Sequence, residues 1–296
     1  MAAGPRRFAY VTLLTRNSYL PGLLVLWFSL REVESRYPLV VMVTHTLPLD
    51  ARDLLRKVDI RMIEAEPVRP AFEHYLATSD FRFADTWTKL RGFELVEFDR
   101  IVLLDCDMVV RRNMDDLFTL ALSRDEIAAV HVCACNPYDI KHYPKDWIPQ
   151  NCAHSATSTP TSPPPKVAEE PRPCQQLNSG TLVVQPSHQL FQTVCRVLQD
   201  ETAVRTFTFP DQDLLATAFH GKWIPLPCYG TEEEVRCIHY ILADKPWRAR
   251  TPPRQEFVKT HGWWWDMFDR MVSALEDVDP EAARWTRTQV DKGGKV

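Results

Sequence analysis

Glycine is scarce in this 296-residue chain, with nine in all. None builds a Gly-rich phosphate loop after the first apolar run, Phe8 to Leu14, which argues against dinucleotide-binding and P-loop chemistry. Long apolar runs are lacking too. The longest, Tyr19 to Leu30, contains Pro21 and is too short to span a bilayer, and no signal-peptide pattern precedes Phe8. No membrane insertion is expected, and a cytoplasmic location follows as the default. No Lys/Arg block stands out, and a net charge of −4 is too small to argue for nucleic acid or a membrane surface as partner. The eight cysteines form no regular framework and read as reduced thiols. Cys133 and Cys135 lack the second pair that a structural zinc site would need. No internal repeat is present.

What is there is an ordinary globular composition. With 45% hydrophobic residues, the chain can bury a sizeable core in one large domain or two closely joined halves. The reading adopted is a single domain over 1–296 with its core at about 8–250. Phe8–Leu14, Leu39–Thr44 and Ile60–Ile63 read as buried strands alternating with helices over Leu20–Glu34 and Leu49–Lys57, which predicts an α/β fold with a mostly parallel sheet flanked by helices. A helix from about Ala84 to Phe98 carries Thr88 and Lys89, and a strand is expected over Ile127–Val132. The Ser/Thr/Pro-rich insertion at about 153–173 should be a mobile surface loop without helix or strand. Order resumes with a strand opening at Asn178-Ser179-Gly180, a helix over His188–Leu198 and a helix introduced by Phe209-Pro210-Asp211-Gln212-Asp213. Strands follow at Trp223–Leu226 and Val235–Tyr240. A helical tail at about 255–276 carries Trp263-Trp264-Trp265, which is expected to pack on the core.

The chain is organised around Arg100 to Val110. Apolar β-formers run without alternation into Asp105-Cys106-Asp107, as a strand buried on both faces does when it ends at a ligand site. Carboxylates two apart on an extended segment point the same way and can share one divalent cation, and hard oxygen ligands suit Mg²⁺ or Mn²⁺. Taken alone, Asp-Cys-Asp reads equally as a polar turn. His239 ends a strand candidate, with Lys245-Pro246-Trp247 shortly beyond it, and taken alone reads more readily as a core or surface histidine.

In order, Tyr10-Val11-Thr12-Leu13, Thr88-Lys89-Leu90, Leu104-Asp105-Cys106-Asp107, Asn178-Ser179-Gly180, Asp211-Gln212-Asp213 and His239 with Lys245-Pro246-Trp247 resemble the motifs of the family 8 retaining glycosyltransferases over roughly residues 8–250. That resemblance implies a GT-A-type, Rossmann-like domain that moves a hexose from a UDP-sugar. It implies Mn²⁺ (or Mg²⁺) held by Asp105, Asp107 and His239, with Lys245 neutralising the same phosphate oxygens. It further implies that Leu13, Thr15 and Tyr19 line the uridine pocket, that Cys106, Ser179 and Gly180 belong to the donor site, and that Lys89, Asn178, Asp211 and Gln212 face the donor sugar. Asp211, Gln212 and Lys89 are the catalytic candidates. Gln212 is a poor nucleophile, so front-face transfer is favoured over a covalent intermediate.

The chain departs from the family pattern at three positions. Gln175 stands where the family usually has Asp, Leu242 where it has Gly, and Arg16 where it has Asn beside the uridine pocket. The passages around Pro227-Cys228-Tyr229 and Lys245-Pro246-Trp247-Arg248 look closer to galactinol synthase than to glycogenin, so a small polyol or saccharide acceptor is expected rather than self-glucosylation on Tyr229. A homodimer is left open. The competing readings are a catalytically weak nucleotide-sugar-binding module and a haloacid-dehalogenase-type phosphatase, whose nucleophile motif is also a strand followed by Asp-x-Asp.

Overall fold

The computed structural model describes residues 6–72, 86–156, 172–227 and 231–291. Most of the chain's strands join one seven-stranded sheet. Along the chain these are β1 (Phe8–Leu14), β2 (Leu39–Val43), β3 (Arg61–Glu64), β4 (Arg100–Leu104), β6 (Ile127–His131), β7 (Leu177–Val184) and β8 (Trp223–Leu226). Their order across the sheet is β3-β2-β1-β4-β7-β6-β8. The pairs β1/β4, β2/β3 and β6/β8 are parallel, while β6 and β7 run antiparallel. The expected α/β architecture with a mostly parallel sheet is therefore present. All five residues of β4 and of β2 are buried, as unbroken apolar runs require.

Contacts divide the chain into two compact units: residues 1–11, 65–103 and 116–234 form the first, and 12–64, 104–115 and 235–296 the second. In the first unit, helices α3 (His188–Leu198) and α5 (Pro210–Ala218) pack on each other, and α5 packs on β7. A four-residue helix, α4 (Glu201–Val204), links them and was not expected. Ser187 caps α3 by accepting from the Leu190 amide at 3.1 Å, and its own N–H donates to the Phe93 carbonyl at 2.8 Å. Phe93 in turn stacks on Phe219.

The segment Thr86–Glu94 is a 3₁₀ helix rather than the expected α-helix from Ala84, whose first two residues lie outside the described residues. Trp87, Thr88, Lys89, Leu90, Gly92 and Phe93 are all buried. Burial on every side, not one apolar stripe, sets the local winding, so tertiary packing overrides the α-helical pattern. Most of the Ser/Thr/Pro-rich insertion, 157–171, lies outside the described residues. Its first residues correct the expectation: Ala153–Ala156 form a 3₁₀ turn in which His154 is buried.

In the second unit, α1 (Leu20–Glu32) and α2 (Leu49–Lys57) follow the expected boundaries closely. The strand expected at Val235–Tyr240 is shorter, β9 (Cys237–His239), and does not join the main sheet. It pairs antiparallel with β5 (Met108–Val110), which sequence patterning had merged into the central strand. The tail forms α6 (Val258–Glu276), which packs against α1 and against α7 (Pro280–Arg287). Trp264, Trp265 and Phe268 are buried, and Trp264 stacks on Phe268. The aromatic cluster is thus core, as expected. No helix of the described residues is long and apolar enough to cross a membrane.

Candidate active site

In the second unit the chemistry begins where β4 ends. Asp105, Cys106 and Asp107 bridge β4 and β5 through a bend at Cys106 and Asp107. Cys106 Sγ donates to the Leu13 carbonyl at 2.9 Å and lies 3.3 Å from Thr12 Oγ1. It therefore ties the Asp-x-Asp segment to the end of β1.

The β5/β9 register supplies the third group. His239 pairs with Met108, and the ladder continues with the Tyr240 amide donating to the Asp107 carbonyl at 2.9 Å. His239 Nε2 comes to 3.2 Å from Asp107 Oδ1 and 3.5 Å from Asp105 Oδ2. One ligand atom from each of Asp105, Asp107 and His239 falls within 4.8 Å of the others. Two carboxylates and an imidazole form a hard-to-borderline donor set suited to Mn²⁺ or Mg²⁺, so the residues present fit the implied ion.

Lys245 is buried beside this cluster. Its Nζ donates to Asp107 Oδ2 and to the Tyr240 carbonyl, each at 2.5 Å. Burial alone would push the Asp107 carboxyl up, but the Lys245 ammonium and the His239 ring outweigh it and hold the group far below the ordinary carboxylate range. Asp107 is consequently ionised at neutral pH.

Leu13, near the end of β1, and Thr15 and Tyr19 in the segment that follows are half-buried. The Tyr19 ring meets Trp247 edge-on with centroids 5.6 Å apart, and Lys245 Nζ lies 5.8 Å from its centroid. Trp247 is itself pinned by its indole N–H donating to the Ser18 carbonyl at 2.9 Å. Sequence patterning missed Gly22. A Cβ there would sit 2.6 Å from the Cys106 carbonyl oxygen and 2.8 Å from the Trp247 ring, so α1 can approach the Asp-x-Asp backbone only without a side chain.

The other residues that the sequence singled out, Lys89, Asn178, Ser179, Gly180, Asp211 and Gln212, lie in the first unit. Along β7 the pairing jumps from Ala129↔Leu182 to Val130↔Asn178, leaving 179–181 as an insertion in the ladder. Bulges of this kind re-aim residues beside functional sites. Within it, the Ser179 carbonyl accepts from Lys89 Nζ at 2.6 Å, and Gly180 donates to Asn178 Oδ1 at 3.0 Å. Lys89, buried rather than solvated, also lies 3.7 Å from the Asp211 carboxylate.

Asp211 and Gln212 open α5 and are buried. Gln212 Oε1 accepts from Asn178 Nδ2 at 3.2 Å. Its Nε2 is buried without a hydrogen-bond partner among the described residues, a costly state that a polar ligand would relieve. Asp213 has a different task. Its carboxylate accepts from the Thr208 and Phe209 amides at 2.7 and 2.9 Å and from Gln176 Nε2 at 3.1 Å. It anchors the start of α5, which sequence grouping alone did not separate from Asp211 and Gln212.

Comparison with known proteins bears on the family and the fold. Galactinol synthase 4 of Arabidopsis thaliana is 29% identical over 314 aligned positions covering 97% of this chain and 88% of its own. The uncharacterised protein R707 of Acanthamoeba polyphaga mimivirus is 25% identical over 241 positions, covering 79% and 77% respectively. The galactosyltransferase LgtC, solved in complex with donor and acceptor sugar analogues, superposes with a TM-score of 0.57 at 14% identity over 88% of this chain and 95% of that one. Its likeness identifies the GT-A fold. The family model for glycosyl transferase family 8 matches residues 10–229, and the phosphatase reading of Asp-x-Asp is set aside with it: the chain belongs to glycosyl transferase family 8.

Proposed function

We propose that this chain is a metal-dependent retaining transferase that moves a hexose, glucose or galactose, from its UDP-sugar to a small polyol or saccharide acceptor. The observation that carries the reading is the convergence of Asp105, Asp107 and His239 within 4.8 Å beside the buried Lys245 ammonium. A sugar nucleotide's leaving group carries several negative charges and gains more as the anomeric bond breaks. Asp105, Asp107 and His239 would hold Mn²⁺ or Mg²⁺, which when bound supplies Lewis-acid stabilisation of the diphosphate. Lys245 supplies a compact cation for the same oxygens, and Leu13, Thr15 and Tyr19 are proposed for the uridine.

Lys89, Asn178, Asp211 and Gln212 are proposed for the donor sugar, with Ser179 and Gly180 shaping the bulge beside them. Asp211 orients sugar hydroxyls and stabilises positive charge developing at the ring. Gln212 presents an amide, a poor nucleophile, and the Asp211 carboxylate is held 3.7 Å from Lys89. Front-face transfer follows: the C1–phosphate bond breaks, the acceptor hydroxyl oxygen bonds C1 from the same face, and its proton passes to the departing phosphate oxygen. The galactinol synthase relatives support a polyol acceptor. The alternative of self-glucosylation rests on Tyr229, which lies outside the described residues.

The test is UDP release from a panel of UDP-sugars with Mn²⁺, with and without polyols and sugars as acceptors. Turnover with one hexose donor, stimulated by a polyol and abolished in Asp105→Asn and Asp107→Asn, is expected. Full activity in both variants would refute the metal assignment. Absence of any UDP release across the panel would favour a nucleotide-sugar-binding module, and added hexose on the protein's own mass would favour self-glucosylation.

A further inference from the structure

A second cluster of ligating side chains lies in the first unit and takes no part in the chemistry above. Cys133 and Cys135 follow β6, and the fold returns Cys152 to them across a 16-residue excursion, so that the three sulfur atoms lie within 4.8 Å of one another. Spacing in the sequence had counted only the first pair.

We propose that Cys133, Cys135 and Cys152 bind a zinc ion that clips the 136–151 segment to the sheet. Thiolates are soft ligands, and three of them select Zn²⁺ over the hard ions that suit the Asp105/Asp107/His239 group. The fourth corner of a tetrahedral site falls to a water or to His154, two residues beyond Cys152. The His154 ring is buried, and its Nε2 lies 3.2 Å from the His131 carbonyl. A carbonyl only accepts, so the ring proton sits on Nε2 and Nδ1 carries a lone pair, which is the tautomer that zinc-binding histidines adopt when a backbone carbonyl orients them.

The clip would have a purpose. Cys152, Val132, Ala134 and Trp147 form one buried cluster, with Cys135, Tyr143 and Phe209 packed against it. Trp147 stacks on Phe209 at 5.1 Å, and Tyr143 meets both rings edge-on. Phe209 is the residue immediately before α5 and donates its amide to Asp213. Zinc at the three thiols therefore fixes the aromatic segment that holds the end of α5 bearing Asp211 and Gln212.

Elemental analysis and native mass spectrometry of the 296-residue chain, purified under reducing conditions without chelator, test this directly. One zinc per chain is expected in the wild type and in the Asp105→Asn/Asp107→Asn double variant, and its loss in Cys133→Ser/Cys135→Ser. Should that cysteine variant fail to fold, Co²⁺ exchanged into the wild type gives an independent reading: sulfur-to-cobalt charge-transfer absorption with tetrahedral d–d bands is expected. Amide exchange of 136–151 and of the first turn of α5 should rise when zinc is removed. No retained zinc, zinc that follows the aspartates instead of the cysteines, a cobalt spectrum without sulfur bands, a native disulfide among the three thiols, or unchanged exchange on zinc removal would overturn the proposal.

Discussion

Replacing Lys245 by Met removes the ammonium from the Asp107 carboxylate while conserving most of the side-chain volume. In the wild type the ammonium and carboxylate lie 2.5 Å apart and both residues are buried. Removing one member of such a pair costs roughly 3–5 kcal/mol, because the other charge stays buried without compensation. His239, 3.2 Å from the second carboxylate oxygen, retains part of the attraction, so the lower end, about 3 kcal/mol, is expected. Urea denaturation at neutral pH in EDTA should show a loss of this size with an unchanged m-value.

Two signatures separate this cause from a simple packing defect. In the wild type the Asp107 carboxyl is held below its ordinary value, so its contribution is full above about pH 4 and is lost as the pH falls. In Lys245→Met that acid sensitivity shrinks. A divalent ion bound by the same carboxylate should also restore stability in the variant, by about 2.7 kcal/mol at a hundredfold excess over its dissociation constant. A variant as stable as the wild type in EDTA, or one that Mn²⁺ leaves unstabilised, would refute the reasoning.

Gly22→Ala forces a Cβ to 2.6 Å from the Cys106 carbonyl oxygen; overpacking of this kind costs about 1–3 kcal/mol, read by thermal unfolding, and should weaken Mn²⁺ binding because the displaced backbone lies between the two aspartates. Asp213→Ala leaves one buried and two part-buried donors without their acceptor, the buried one at about 1–3 kcal/mol. Denaturation should show a loss of at least ~2 kcal/mol, and a near-neutral result would show that α5 is anchored elsewhere. Burial holds the His261 imidazole below its usual value against the opposing pull of Asp244. The unfolded chain therefore binds more protons just below about pH 6.5, stability declines there as the pH falls, and His261→Gln should flatten that part of the profile in pH-dependent denaturation.

Much of the fold was legible because its strands are buried on both faces. Leu39–Val43 and Ile101–Leu104 read as continuous apolar runs, short enough and rich enough in β-formers to favour buried strands. Helices α2 and α3 were bounded as observed, since a Pro48 start and a Ser187 cap mark their beginnings. The Asp-x-Asp pair was legible for the same reason, standing where such a run ends.

What was not legible depends on pairing at long range. Strands β5 and β9 have three residues each, too few to show a period, yet their register is what carries His239 to the aspartates. The insertion at 179–181 and the 3₁₀ winding around Lys89 are settled by packing from distant elements, so their local patterns misled or said nothing. Asp211 and Asp213 are alike in sequence and differ only in what surrounds them. Cys152 could not be joined to Cys133 and Cys135 by spacing, because the excursion between them follows no metal-ligand rule. Gly22 carried no signal either: the atoms it must avoid belong to Cys106 and Trp247.

The most direct measurement is anomalous scattering at the manganese edge from crystals grown with Mn²⁺ and UDP, collected in parallel for the wild type and Asp105→Asn/Asp107→Asn. A peak bounded by Asp105, Asp107 and His239 with UDP density beside it, absent from the double variant, is the result predicted. UDP bound with no anomalous peak among those three residues, or with the His239 ring turned away from a metal held elsewhere, would contradict it.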